Sequence, residues 1–481
     1  MEKLATTKTK VEEEGGASPK TIKADGAAEV VQRNLQGQTI GGAKGKSGFL
    51  KGAAWIALGG FVAKAIGGLY RIPLTNILGG EGIGLYQLVY AVYCLFLTVA
   101  ATGIPSSVAK LTAEQIGKGD SPLPLLKKAL GLFVSVGIVA SLCMAAFAPA
   151  FAKAQGAKSV ILGYYALAPS VALVAVISVF RGYFQGKNDM LPTALSEVAE
   201  QVVKVGFGLL FAYLFRGDFM RTVLWLLVAV SLSELFTAVL LYTVYRRSKS
   251  GDKVENEGGR YALKDILRLS IPVTFSGVLL PASALLDSVI APRLLSAYAE
   301  NPVALYGLFA GGAVTLINLP VSVCYGLAAA SVPVVSAAVV KGGKSAWRRI
   351  RFSLFVTAAV ALPCAVGLYA FAEIAVKIVY RNLAAEELDT LVSLTKALAV
   401  SAFTLSCAQT LSACLTAQGK PRYAAISWLV AMVVKTVAYY FWLRKPSVSV
   451  FGLAYATNLA YLVAFLLNLL YNFFVTKKRK E

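Results

Sequence analysis

The chain has 481 residues, of which 57% are hydrophobic and 15% charged, with 47 Lys and Arg against 25 Asp and Glu, a formal net charge of +22, and no histidine. A soluble domain is only about half apolar and about a quarter charged, so an ordinary soluble fold is excluded. A nucleic-acid binder is excluded with it, because its cations need a wettable surface. Without histidine there is no His-ligated zinc site, no Ser-His-Asp triad and no imidazole relay.

Residues 1–47 are polar, mixed in charge and without an apolar run, and read as a disordered cytoplasmic tail. The tail ends on Gly45-Lys46-Ser47, but a phosphate-binding loop needs glycine where Ile40 stands, so nucleotide binding is not expected. From Leu50 onward apolar stretches alternate with short polar breaks. A membrane-spanning helix needs about 20 apolar residues. Twelve stretches qualify: 50–71, 84–104, 129–151, 159–180, 192–215, 222–245, 269–292, 305–335, 352–376, 390–417, 423–443 and 448–475. Lipid cannot satisfy exposed backbone groups, so these long runs are expected as helices. The six cysteines fall within apolar runs without CxxC spacing, which gives neither a disulfide framework nor a metal site.

The basic residues set the direction of threading. With both termini in the cytoplasm, 33 of the 47 cations fall on the cytoplasmic side, ten on the opposite side and four within spans. That bias is the positive-inside pattern. It predicts a multi-pass protein of the cell membrane, with an N-terminal lobe over 48–246, a cytoplasmic linker over 247–264, a C-terminal lobe over 265–476 and a basic cytoplasmic end over 477–481.

The two halves resemble each other. Gln185-Gly186-Lys187 is answered by Gln418-Gly419-Lys420, Val202-Val203-Lys204 by Val433-Val434-Lys435, and Leu85-Tyr86 by Leu305-Tyr306, at offsets of 220 to 233 residues. A duplicated six-helix unit keeps its orientation, and such parallel repeats characterise transporters with a site between the halves. The expected fold is an all-α polytopic membrane protein of about twelve helices, in two pseudo-symmetric six-helix lobes around a central cavity.

The stretch from Phe49-Leu50-Lys51-Gly52 to Arg71, then Gly80-Glu81-Gly82-Ile83-Gly84-Leu85-Tyr86, Gly103-Ile104-Pro105, Gly182-Tyr183-Phe184-Gln185-Gly186-Lys187 and Glu200-Gln201-Val202-Val203-Lys204 carry a resemblance. They resemble the stage V sporulation protein B-like polysaccharide transporters of the multidrug/oligosaccharidyl-lipid/polysaccharide exporter superfamily, relatives of the lipid II flippases. The resemblance implies two lobes arranged as a V. It also implies export of a lipid-linked oligosaccharide, such as an undecaprenyl-linked peptidoglycan or polysaccharide precursor. Lipid II flippases commonly carry fourteen helices, the last two forming a groove for the lipid tail. Only twelve are counted here, which departs from that pattern at the helices that form the groove.

Charges inside spans are costly and mark function. Lys64 and Arg71 lie two helical turns apart on one face. They match the cavity-facing basic pair of the lipid II flippases, with Lys in place of the usual first Arg, which implies a diphosphate clamp. Lys204 and Lys435 complete the expected substrate-binding set, although Lys435, with no acid nearby on its own helix, needs a partner elsewhere: a cavity anion, Asp287 or Glu234. Glu197, Glu200 and Lys204 share a face, and Glu200 to Lys204 is a favourable i, i+4 pair. Glu197 and Glu200 are therefore either neutralising groups or carriers of a coupling ion. Asp287 and Arg293, beside Pro281 and Pro292, are expected as a gate on a kinked or broken helix; otherwise Asp287 pairs with Arg293 or with a lysine and fixes the lobe interface. Glu234 and Glu373 are expected in structural ion pairs.

The expected function is therefore a flippase working by alternating access. The alternative is a cation-coupled multidrug exporter on the same scaffold. Enzymatic catalysis is not expected, nor is any cofactor or metal; coupling would draw on membrane potential, protons or sodium. The expected partners are a lipid-linked saccharide and membrane lipids, with no nucleic acid, for a monomeric protein.

Overall fold

The structure is a computed structural model that describes residues 43–248, 263–340 and 342–478. Most of the tail, the centre of the linker and the last three residues lie outside the described residues. Every regular element described is helical. In chain order they are α1 (Ala43–Ala101), α2 (Ile104–Gly117), α3 (Leu123–Ala146), α4 (Ala148–Ala154), α5 (Ile161–Gly186), α6 (Leu191–Leu214), α7 (Phe219–Ser248), α8 (Leu263–Leu295), α9 (Pro302–Gly307), α10 (Val314–Val340), α11 (Gly343–Ala370), α12 (Ala372–Val379), α13 (Ala385–Ala417), α14 (Pro421–Trp442) and α15 (Phe451–Lys478).

Ten described stretches are long and apolar enough to cross a membrane. One of them, Leu58–Gly117, supplies two crossings, because Gly79 leaves helical geometry at φ 66°, ψ −175°. A straight helix would part Arg71 and Tyr90 by about 28 Å; instead the Arg71 guanidinium lies 5.6 Å from the Tyr90 ring centre. The α1 chain therefore folds back on itself at Gly79. The sequence left residues 72–83 as the break between the first two spans, but the reversal needs only one residue, and its positive φ suits glycine. Leu191–Leu214 (α6) is a further helix of 24 residues, excluded from the apolar set by Glu197, Glu200 and Lys204. Counting it and the folded-back α1 gives the twelve crossings expected.

The first lobe packs α1 to α7 and the second α9 to α15, with α8 between them. Lipid gives helices no hydrophobic reason to associate, so small residues that allow close approach do much of the packing. Gly59 sits against Ala194, and Gly182 against Pro105 and Val108. Polar side chains add to this in the second lobe, where Asn472 accepts from Gln418 at 2.7 Å and donates to the Leu411 carbonyl at 3.0 Å.

The helix α8 runs unbroken through Pro281 and Pro292, so the expected break does not occur. Neighbours on both sides hold it, which is how membrane helices tolerate proline. Its first half packs on the first lobe, where the Ser270 and Ser107 hydroxyls lie 2.6 Å apart and Thr274 accepts from Gly103 N–H at 3.1 Å. Its second half joins the second lobe, where Tyr298 donates to the Leu443 carbonyl at 2.8 Å.

The lobes are sealed at the Gly79 end. A side chain on Gly84 would overlap the Val303 carbonyl, and one on Gly307 would overlap that of Gly80. Asn76 donates to the Val379 carbonyl at 2.7 Å, Gly80 N–H to Glu387 at 3.0 Å, and Asn301 to Glu81 at 2.9 Å. Beneath these bonds Leu78, Ile83, Tyr306, Leu308, Phe309 and Leu391 share one buried apolar cluster. A π turn at Leu308–Ala313 joins α9 to α10, a feature that the sequence did not reveal. Such turns leave carbonyls free of their usual partners, and here Gln87 donates to Ala310 and Tyr380 to Gly312.

Candidate functional site

On the other side of that seal lies a cavity of about 320 Å³ between the lobes, walled by α1, α6 and α10. Gly67 and Gly68 keep the first arm of α1 slim where it meets Gln201 and Leu319. This brings three cations to one space, Lys64 and Arg71 from α1 and Lys204 from α6. Gln201, Asn318 and Ser322 supply neutral polar groups, and Tyr86 and Tyr90 form an aromatic wall. The Lys64 ammonium rests 3.2 Å from the centre of the Tyr325 ring, an inter-lobe cation–π contact.

The expected Glu200–Lys204 pair does not form. Arg181 on α5 takes Glu200 at 2.9 Å and the Ser196 hydroxyl at 3.0 Å. A guanidinium fork binds a carboxylate and a neighbour together, which an ammonium on the same helix cannot match. Arg181 thus neutralises Glu200. Among the described residues Lys204, Lys64 and Arg71 make no ion pair. Glu197 is half-buried against Gly60, one helical turn from Lys64 along α1, and the charges of Glu197 and Lys64 attract each other.

Lys435 lies elsewhere. It is buried in the second lobe beside a pocket of only about 70 Å³. Its ammonium donates to Asp287 at 2.5 Å, and the Tyr439 hydroxyl donates to the other oxygen of that carboxylate at 2.9 Å. Of the partners that the sequence left open for Lys435, a cavity anion, Asp287 or Glu234, the structure gives it Asp287 on α8. Asp287 does not pair with Arg293, whose side chain is exposed. Six residues is not a whole number of turns, so the two point to different sides of α8.

Of the two acids expected in structural pairs, Glu373 bonds Lys377 at 2.7 Å on the surface. Glu234 is buried, and among the described residues it has no ion-pair partner. Sequence reasoning passed over the polar stripe of α10. Asn318, Ser322 and Tyr325 stand at i, i+4 and i+7 in an otherwise apolar helix, and that spacing was the available signal.

The sequence profile of the polysaccharide biosynthesis protein family matches residues 49–339, more than half of the chain. Stage V sporulation protein B of Bacillus subtilis (strain 168) is 28% identical over 305 residues, 60% of this chain and 58% of that relative. The match thus spans under two thirds of that protein's length. The lipid II flippase MurJ of the same organism is 24% identical over 468 residues, 90% of this chain and 83% of the relative. Among solved structures, an inward-facing multidrug resistance MATE family transporter of the MOP superfamily superposes with a TM-score of 0.71 at 18% identity. The superposition covers 87% of this chain and 95% of that one, and it places the two-lobe fold.

Proposed function

The chain belongs to the polysaccharide biosynthesis protein family, and we propose that it is a flippase that carries a lipid-linked saccharide across the cell membrane. One observation carries this reading: Lys64, Arg71 and Lys204 face one inter-lobe cavity and, among the described residues, none of them makes an ion pair. Uncompensated cations are expensive inside a membrane. A diphosphate between lipid and sugar would offset that cost with charge-assisted hydrogen bonds from all three. Gln201, Asn318 and Ser322 would meet the sugar, and the apolar tail would remain in lipid.

The positive-inside pattern supports a cytoplasmic location for both termini. In that orientation the Gly79 seal closes the outer end, and the cavity faces the cytoplasm, where such precursors are made. Alternating access then means opening the Gly84–Val303 and Gly80–Gly307 contacts while the other end closes. The helix α8, which touches both lobes, is the strut about which they would turn. The likeness to MATE transporters keeps a multidrug exporter as the second reading, but three unpaired cations repel the cationic drugs that such an exporter would take. The protein would act as a monomer, with no chemical step and with coupling to membrane potential or to an ion.

The test is headgroup translocation of an undecaprenyl diphosphate saccharide in proteoliposomes. Lys64→Ala, Arg71→Ala and Lys204→Ala should each slow it about tenfold or more, the loss expected from one charge-assisted bond of about 1.5–3 kcal/mol. Unaltered translocation by the triple variant would end the reading.

A further inference from the structure

Glu234 stands on α7 inside the first lobe, with 5% of its surface exposed. One carboxyl oxygen accepts from the Tyr93 hydroxyl at 3.4 Å. The other is fully buried and meets no hydrogen-bond partner among the described residues. The charged and titratable groups that face it are Tyr93 and Tyr90 from α1, Arg181 from α5, and Glu200 and Lys204 from α6. Arg181 is already held by Glu200 at 2.9 Å, and Lys204 points to the cavity.

Two energies decide the state of this group. A buried carboxylate with one long hydrogen bond and no paired cation costs several kcal/mol. A neutral carboxyl with one unmet polar atom costs about 1–3 kcal/mol. The protonated form therefore fits this site. The site also lies just behind the cavity wall. Tyr93 is 5.6 Å from Tyr90, and Tyr90 stacks on Tyr86 at 5.5 Å. Tyr90 and Tyr86 both line the cavity, and Arg71 lies over Tyr90.

We propose that Glu234 is a proton-binding site linked to the cavity, so that an anion among Lys64, Arg71 and Lys204 and a proton on Glu234 bind together. The linkage rests on the anion-binding reading above. Its sign follows from charge. Uncovered cations favour the carboxylate, and an anion that covers them favours the proton. By reciprocity the proton must then strengthen anion binding by the same factor. A proton would travel with each anionic headgroup and leave when the headgroup leaves.

The experiment is infrared difference spectroscopy of the full chain in lipid nanodiscs, titrated with pH, for the wild type and Glu234→Gln. The protonated-carboxyl band present near neutral pH in the wild type should be missing from Glu234→Gln. If that variant fails to fold, Glu234→Asp serves, by displacing the band. Inorganic pyrophosphate, as the probe, should move the titration of this band to higher pH by about one unit, a tenfold gain in proton affinity. Lys204→Met should reduce that movement. A band identical in wild type and Glu234→Gln would overturn the proton site. A band that stays put while pyrophosphate binds would overturn the linkage. Failure of pyrophosphate to bind the wild type at all would instead count against the anion cavity, with the Glu234 band still deciding the proton site.

Discussion

Lys204 and Lys435 hold matching positions in the two six-helix units, each directly after two valines. Their surroundings are opposite. Lys204 shares its helix with two glutamates yet faces the cavity with no ion pair among the described residues, because Arg181 holds Glu200. Lys435 has no acid nearby on its own helix yet is fully paired, because Asp287 comes to it from α8. A duplicated backbone thus carries an unduplicated charge pattern, and the positive potential of the cavity belongs to the first lobe. Proximity along a helix was a poor guide to pairing, since the decisive partners came from neighbouring helices.

The comparison breaks most severely at Asp287. Asp287→Ala leaves the Lys435 charge buried and alone, and should cost about 3–5 kcal/mol. Thermal unfolding in detergent reads this. Asp287→Leu with Lys435→Met should restore most of the loss, since an apolar pair can replace a buried ion pair. If Asp287→Ala unfolds like the wild type, the pair is not what holds α8 to α14.

Lys204→Ala should do the reverse. Stability should stay within about 0.5 kcal/mol, as for a residue without partners. Pyrophosphate binding should weaken about tenfold or more, the loss of one charge-assisted bond.

Arg181→Ala sharpens the contrast at a smaller scale. It frees Glu200 to turn to Lys204, one helical turn away, and should weaken anion binding by about 1 kcal/mol, within the range of coupling between neighbours. Adding Glu200→Gln should return the affinity. Unchanged affinity in Arg181→Ala would mean that Arg181 does not shield Lys204 from Glu200. The smallest effect belongs to Glu373→Ala, which removes an exposed i, i+4 pair with Lys377. No measurable change in Tm is expected.

The architecture was legible in the sequence because lipid leaves few choices. Long apolar runs must be helices, and the cations fix their direction. Lys64 and Arg71 were legible because two turns of one helix put them on one face. What lay beyond reach were contacts set by packing between helices: the capture of Glu200 by Arg181 and the isolation of Glu234. For Lys435 the sequence offered Asp287 as one partner among three, and only packing chooses between them. The reversal at Gly79 was blurred for a different reason. Four glycines, Gly79, Gly80, Gly82 and Gly84, stand together in one short run, and composition alone does not say which one takes the positive φ.

The central claim is that the anion site is built from first-lobe cations and excludes Lys435. Calorimetric titration of pyrophosphate into Lys204→Ala and into the Asp287→Leu, Lys435→Met double variant tests it directly. The account predicts weakened binding in the first and wild-type affinity in the second. Wild-type affinity in Lys204→Ala together with lost binding in the double variant would contradict it.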